Sequence, residues 1–235
     1  SFPDYLDALS HRCYDVDIGT QVPHAALRVF VMGERGARRE DATPDDCEAM
    51  AKLTAEALSS GAFGFSTSRL LQHRTAEGEP IPSYGAAEAE LTAIVDAARQ
   101  VGHGWLQWVG DYGTQIDEEF GLLTRLARRS GLPVTLTLLQ KNSFPNQWRD
   151  LLTRIENANA NGLKITGQVR GRPTSTLMGF ELSENPFLGC PSWQELAPLN
   201  LENQLKILRD PSFRARILAE PGGSPEQQKR LRDWD

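Results

Sequence analysis

The chain has 235 residues, of which 40% are hydrophobic and 24% charged, enough apolar material for one large core or two small ones. Its 31 acidic and 25 basic side chains leave a formal charge of -6, which argues against a basic nucleic-acid face. No apolar run approaches the ~20 residues of a membrane helix.

The predicted elements alternate along the chain. Pro3 to His11 reads as a short helix, and Val16 to Val22 as a strand ending at Pro23-His24. Ala25 to Met32 is apolar and compact, and its pattern leaves helix and strand open. Thr43-Pro44-Asp45-Asp46 is a helix start, with a capping hydroxyl, proline in the first turn and two acids beside the positive end of the helix dipole. Cys47, Met50, Ala51, Thr54 and Leu58 then share one helical face, and Gly61 ends it.

Three further strand–helix pairs repeat the unit, and one more strand follows. Ala62 to Ser66 reads as a strand, followed by a helix through Leu91, Ile94, Val95 and Ala98 that stops at Gly102. Trp105 to Val109 is a strand, and Phe120, Leu123, Leu126 and Ala127 mark a helix stopped by Gly131. Val134 to Leu139 is a strand, and Trp148, Leu151, Leu152 and Ile155 mark a helix stopped by Gly162. Leu163 to Val169 is the last strand of the series. Beyond Arg170 the pattern weakens to short helices: one from Ser192 to Leu196, then Leu201 to Leu208 and Pro211 to Leu218, separated at Asp210-Pro211. Residues 1 to 220 form the folded portion and 221 to 235 read as a polar tail.

Strands joined by helices are parallel, because each return to the sheet needs a long crossover. No GxGxxG or GxxxxGK[ST] follows a strand, which favours a (β/α)8 TIM-type barrel over a dinucleotide-binding open sheet. About five strands are visible where a barrel needs eight, so the barrel is expected to be incomplete. A chain beginning at Ser1 reads as an internal piece of a longer protein. Its two unpaired strand edges then favour a homo-oligomer or pairing with the missing part of the barrel.

Connections from helix to strand are short and those from strand to helix are long. The longest, Thr67 to Gly85, carries Arg69, His73, Arg74, Glu77, Glu79 and Tyr84. In barrels such loops surround the site at the strand C-termini. The candidate pocket residues are therefore His24, then Ser66, Ser68, Arg69 and His73, then Asp111, Gln140 and Lys141, then Gln168 and Arg170. None of the four histidines shares HxH or HExxH spacing with another. His103, between two glycines, reads as a turn residue and His11 as exposed. Arg125, Arg128 and Arg129 read as a solvated helical face. Gly64-Phe65-Ser66-Thr67-Ser68 has part of a nucleophile-elbow pattern without its closing glycine. Cys13, Cys47 and Cys190 are too far apart for a CxxC site, and read as buried free thiols of a cytoplasmic protein.

Several segments together resemble the D-aminoacylase (N-acyl-D-amino-acid deacylase) branch of the amidohydrolase superfamily. They are Phe2-Pro3-Asp4-Tyr5-Leu6-Asp7-Ala8-Leu9, Val22-Pro23-His24-Ala25-Ala26-Leu27-Arg28-Val29, Gly61-Ala62-Phe63-Gly64-Phe65-Ser66-Thr67-Ser68-Arg69, Gly162 to Pro173, and Asn185-Pro186-Phe187. The resemblance implies a barrel hydrolase that cleaves an amide C–N bond of a small-molecule N-acyl amino acid, with a divalent metal, zinc, activating water. It implies His24 and Arg28 and the Ser66 to Arg69 segment, with Ser66, Ser68 and Arg69, as pocket-side residues, His24 touching the metal or the substrate and Arg69 meeting a carboxylate. The loop and strand-end positions add His73, Gln140, Lys141, Gln168 and Arg170 as expected substrate contacts. The family's HxH pair and catalytic aspartate have no counterpart here. The two middle strand ends, Trp108-Val109-Gly110-Asp111 and Leu138-Leu139-Gln140-Lys141, carry no histidine. The isolated chain is accordingly expected to be inactive. The alternative reading is a non-catalytic barrel segment or degenerate relative that binds a small acidic ligand or a partner.

Overall fold

The computed structural model describes residues 1–113, 115–141, 144–172, 177–182 and 185–222. It divides into two compact units: 1–73 with 80–139 and 148–169, and 74–79 with 140–147 and 170–235.

The first unit is an α/β assembly. It runs α1 (Phe2–Ser10), β1 (Gln21–Pro23), α2 (His24–Met32), α3 (Glu34–Ala37), α4 (Pro44–Ser59), β2 (Gly64–Ser68), α5 (Glu88–Val101), β3 (Trp105–Val109), α6 (Ile116–Ser130), β4 (Val134–Thr137), α7 (Gln147–Ala160) and β5 (Ile165–Gln168). All four strand pairings are parallel and the sheet order is β1-β2-β3-β4-β5. Strictly consecutive order is the winding of a barrel; an open doubly wound sheet reverses direction at a switch point. The expected fold class is therefore present as five strands of an incomplete (β/α)8 arrangement.

Local chemistry explains the elements. Thr43 accepts from the Asp46 amide while the Asp46 carboxylate accepts from the Thr43 amide, a reciprocal cap on α4. Ser1 and Asp4 form the same cap on α1. Gly102 and Gly131 end α5 and α6 in the left-handed conformation, at φ of 85° and 70°, which a glycine adopts without steric cost. The segment left open by its pattern, 25–32, is helical, because His24, Leu27, Arg28 and Met32 fall on one buried face. The first strand is shorter than expected. Pairing begins only at Gln21 opposite Gly64, and Val16 and Ile18 stay exposed with no strand beside them.

The two faces of the sheet differ. Val22, Phe65, Leu106, Trp108, Val134, Leu136 and Ile165 are buried, in one core with Met50 and Leu58 of α4, Leu91 and Ile94 of α5, Leu123 and Leu126 of α6, and Leu151 and Ile155 of α7, and Thr67 is buried on the same face. The alternate face carries polar residues at its middle, with Trp105 and Val109 at the two ends of β3. Ser66, Gln107, Thr135 and Thr166 stand at matched register across β2 to β5, and each keeps solvent contact. On the outside, Arg125 and Arg129 of α6 are exposed as expected, and they also join α5 through bidentate contacts to Glu88 and Asp96.

The second unit has its own core of Cys190, Trp193, Leu196 and Ile217, with Phe180, Phe187 and Phe213 against it. Its helices are α8 (Pro191–Leu196), α9 (Leu201–Leu208) and α10 (Pro211–Ala219). Asn200 and Asp210 cap α9 and α10. Ser192 does not cap α8. Proline pre-sets the first turn at Pro191, and the Ser192 amide and hydroxyl both donate to the Glu220 carboxylate. Cys190 is buried, but Cys47 is half-buried and Cys13, in an irregular stretch, is exposed; none is in a disulfide. Pro173 of the family-like segment and 223–235 of the expected tail lie outside the described residues.

Gly64 is fixed by the close approach of β3. A Cβ there would lie 2.2 Å from the Trp105 carbonyl oxygen and 2.8 Å from its nitrogen. Gly64→Ala is expected to lower unfolding free energy by about 1–3 kcal/mol, read as a lower urea midpoint at unchanged slope.

Candidate functional site

The C-terminal end of the sheet is built from β1 and β2 outward. His24 follows Pro23 directly, so the end of β1 delivers its imidazole and α2 carries Arg28 one turn later on the same face. Strand alternation sends Thr67 to the helix-covered face and Ser66 and Ser68 to the other. The first turn of α5 brings Glu90 back over the sheet.

These residues form a buried network. His24, Arg28 and Glu90 are each about 1% exposed. His24 Nε2 donates to Glu90 Oε1 at 2.5 Å, and the Thr67 hydroxyl lies 2.8 Å from His24 Nδ1. The carboxylate can only accept, so Nε2 carries the proton and Nδ1 accepts from Thr67. Arg28 Nε sits 3.2 Å from the same carboxylate oxygen. Burial lowers the pKa of His24 below its ordinary value, against the opposing pull of Glu90.

His24 therefore differs from the expectation drawn for it. A metal ligand must offer a ring lone pair, and both nitrogens of His24 are already engaged with protein. Among the described residues no group of three or more His, Cys, Asp and Glu side chains is placed to hold a metal ion. The described residues do not by themselves hold a divalent metal.

Arg69 likewise faces inward. Its Nε donates to both oxygens of Glu119 at 3.0 and 3.1 Å, and its Nη1 to the Ala86 carbonyl at 2.7 Å. The guanidinium carbon lies 5.7 Å from the Trp108 ring centroid. Glu119 is drawn up by burial while Arg69 pulls it down. The guanidinium expected to meet a substrate carboxylate instead neutralises a carboxylate of its own fold.

Ser68 and His73 are brought together. Ser68 Oγ lies 2.7 Å from His73 Nδ1, and both remain solvent-accessible. Ser66 stands one pleat below Ser68 on the same face of β2, and Gln168 ends β5 on the face that carries Thr135 and Thr166. Ser66 lies inside an extended strand, so the segment 64–68 is no nucleophile elbow. Gln140, Lys141 and Arg170 belong to the second unit, where Lys141 bridges to Phe144.

The pattern missed Glu90 and Glu119 as partners, although each left a signal. Glu90 shares the apolar stripe of α5 with Leu91, Ile94 and Ala98, and Glu119 that of α6 with Phe120, Leu122 and Leu123. A carboxylate on a buried stripe needs a cationic or hydrogen-bonding partner.

Consecutive parallel strands, helices over one face and polar side chains on the other define a barrel-type α/β segment. Residues 1–230 match the amidohydrolase family model, and the chain belongs to that family. It is 31% identical over 164 residues to D-aminoacylase of Alcaligenes xylosoxydans xylosoxydans, covering 68% of this chain and 31% of that protein. It is 25% identical over 175 residues to N-acyl-D-glutamate deacylase of the same organism, covering 73% and 33%. The chain thus spans about a third of the length of these curated relatives. Among solved structures, a D-aminoacylase with a binuclear metal centre matches with a TM-score of 0.60 at 24% identity, over 94% of this chain and 45% of that one. N-acyl-D-glutamate deacylase from Bordetella bronchiseptica, complexed with zinc and a phosphonate mimic of the tetrahedral intermediate, matches with a TM-score of 0.61 at 21% identity, over 74% and 35%.

A buried neutral histidine makes stability pH-dependent. His24 in the unfolded chain protonates near 6.5, and in the folded chain only at lower pH. The unfolded state then binds more protons, so stability is full above about pH 6.5 and falls as pH drops. The urea midpoint of the protein is expected to decrease from pH 7 to 5.5, with a shallower decrease in His24→Gln.

Proposed function

We propose that the protein carrying this chain hydrolyses the amide C–N bond of N-acyl amino acids, N-acyl-D-amino acids in particular. In this reaction water adds to the acyl carbonyl, the C–N bond breaks and the amine leaves with a proton. The observation that carries the reading is the polar sheet face of Ser66, Gln107, Thr135 and Thr166, ending in the accessible Ser68–His73 pair, in a chain of the amidohydrolase family.

Ser66, Ser68, His73 and Gln168 act as hydrogen-bonding contacts for the acyl oxygen, amide and carboxylate of the substrate. Gln140, Lys141 and Arg170 are substrate contacts on the strength of their chain positions after β4 and β5. His24 and Arg69 serve the site through the fold. A divalent metal, zinc, belongs to the proposal by analogy with the zinc-bound deacylase, with ligands supplied from outside the described residues, which hold no group able to bind it. No helix among the described residues is long and apolar enough to cross a membrane, and the free thiols fit a cytoplasmic setting. Among the described residues β1 and β5 pair on one side only, which supports further pairing, with a second copy or with more barrel.

A second reading, binding of a small acidic ligand without turnover, is favoured by one observation: the internal commitment of both His24 and Arg69. Release of free amino acid by the full-length protein from N-acetyl-D-, N-acetyl-L- and N-acyl-D-glutamate substrates separates the two. Turnover of a D-substrate is expected, with and without added zinc compared, and Ser68→Ala is expected to raise KM about tenfold through loss of a hydrogen bond of about 1–1.5 kcal/mol. Saturable binding with no amine released from any substrate establishes the second reading.

A further inference from the structure

The connection from β2 to α5, residues 69–87, has no helix or strand of its own, yet three arginines hold it by its carbonyls. Arg39 Nη1 donates to Pro80 O at 2.9 Å, Arg28 Nη1 to Pro82 O at 2.7 Å and Arg69 Nη1 to Ala86 O at 2.7 Å. Prolines at 80 and 82 restrict this stretch to extended backbone, so its carbonyls are presented to the arginines. Arg28 also donates through Nη2 to Glu40 O at 2.6 Å. It thereby ties the turn after α3 to the same point, with its charge balanced by Glu90. Arg39 is the single described non-glycine residue at positive φ, 63°, an unfavourable conformation that accompanies its reach to Pro80.

The held stretch leads straight to the accessible pair. The Ile81 amide donates to His73 O at 3.3 Å. The Ser83 hydroxyl, on a fully buried residue, donates to Ser68 O at 2.8 Å. Ser68 Oγ in turn meets His73 Nδ1. We propose that Arg28 and Arg39 are positioning residues: they fix Pro80 and Pro82 so that Ile81 and Ser83 set His73 against Ser68. The geometric part stands independently; its catalytic consequence rests on Ser68 and His73 contacting substrate, as proposed above.

Hydrogen exchange of the Ile81 amide reads the strap, with the Leu106 and Val134 amides, bonded to Pro133 O and Lys164 O, as sheet controls. Arg28→Lys keeps a cation beside Glu90 but offers no fork to reach two carbonyls. Arg39→Gly removes the Pro80 contact while accepting the positive φ, so it keeps the test open if Arg28→Lys fails to fold. Ile81 exchange is expected to accelerate at least tenfold in either variant while Leu106 and Val134 are unchanged. Unchanged Ile81 exchange in Arg39→Gly, or uniform acceleration of all three amides, overturns the proposal. In the active enzyme, a KM raised several-fold at near-constant kcat in Arg39→Gly supports it further. Accelerated exchange at unaltered KM sustains the strap and removes Ser68–His73 as the substrate contact. An enzyme without turnover removes the functional reading, and the exchange result still decides the strap.

Discussion

Glu90 is a carboxylate almost without solvent contact, and the first half of the sheet is arranged around the need to neutralise it. Arg28 supplies the charge and His24 a hydrogen bond, while Glu90 Oε2 finds no hydrogen-bond partner among the described residues. Removing one member of such a set leaves an uncompensated buried charge, which costs several-fold more than an exposed ion pair contributes. The network therefore binds together the end of β1, the start of α2, the outer half of β2 and the first turn of α5. β1 and β2 are also joined by their ladder, and the network adds α2 and α5 to them through directional contacts, which fix register more sharply than apolar ones.

The same geometry divides the labour of the strand ends. Side chains that alternate toward the helices, Thr67 and the Arg69 guanidinium, are absorbed into the fold. Those that alternate away, Ser66 and Ser68, stay accessible. A one-residue slip of β2 would exchange the two sets. Gly64, pressed against the Trp105 backbone, marks the start of the paired register and so guards the orientation of every residue after it. The long connection then gains order from arginine donors that replace the ladder bonds an extra strand would make.

Much of this architecture was legible in residue pattern. The cap at Thr43, the glycine stops at 102 and 131 and the strand at 105–109 follow from local conformational preference and periodicity. These features involve neighbours within a few positions, so the chain displays them directly. The first strand was misjudged because Val16 and Ile18 have the right composition but no partner strand beside them, and pairing is a property of two segments. The ion pairs of the exposed Arg125 and Arg129 were hidden for a similar reason: their carboxylates lie 37 and 33 positions away.

By itself, then, the sequence determined an α/β chain of consecutive crossovers, a polar rim at the strand ends and its resemblance to the amidohydrolase family, since each depends on spacing and residue type. Only the tertiary structure decided which of the rim residues turn into the fold. His24 and Arg69 look like functional groups in a linear reading, yet their hydrogen-bonding capacity is taken by Glu90, Thr67, Glu119 and Ala86. A donor's availability depends on what packs against it in three dimensions. Those partners come from β2, α5, α6 and the long connection, which meet only once the sheet is assembled.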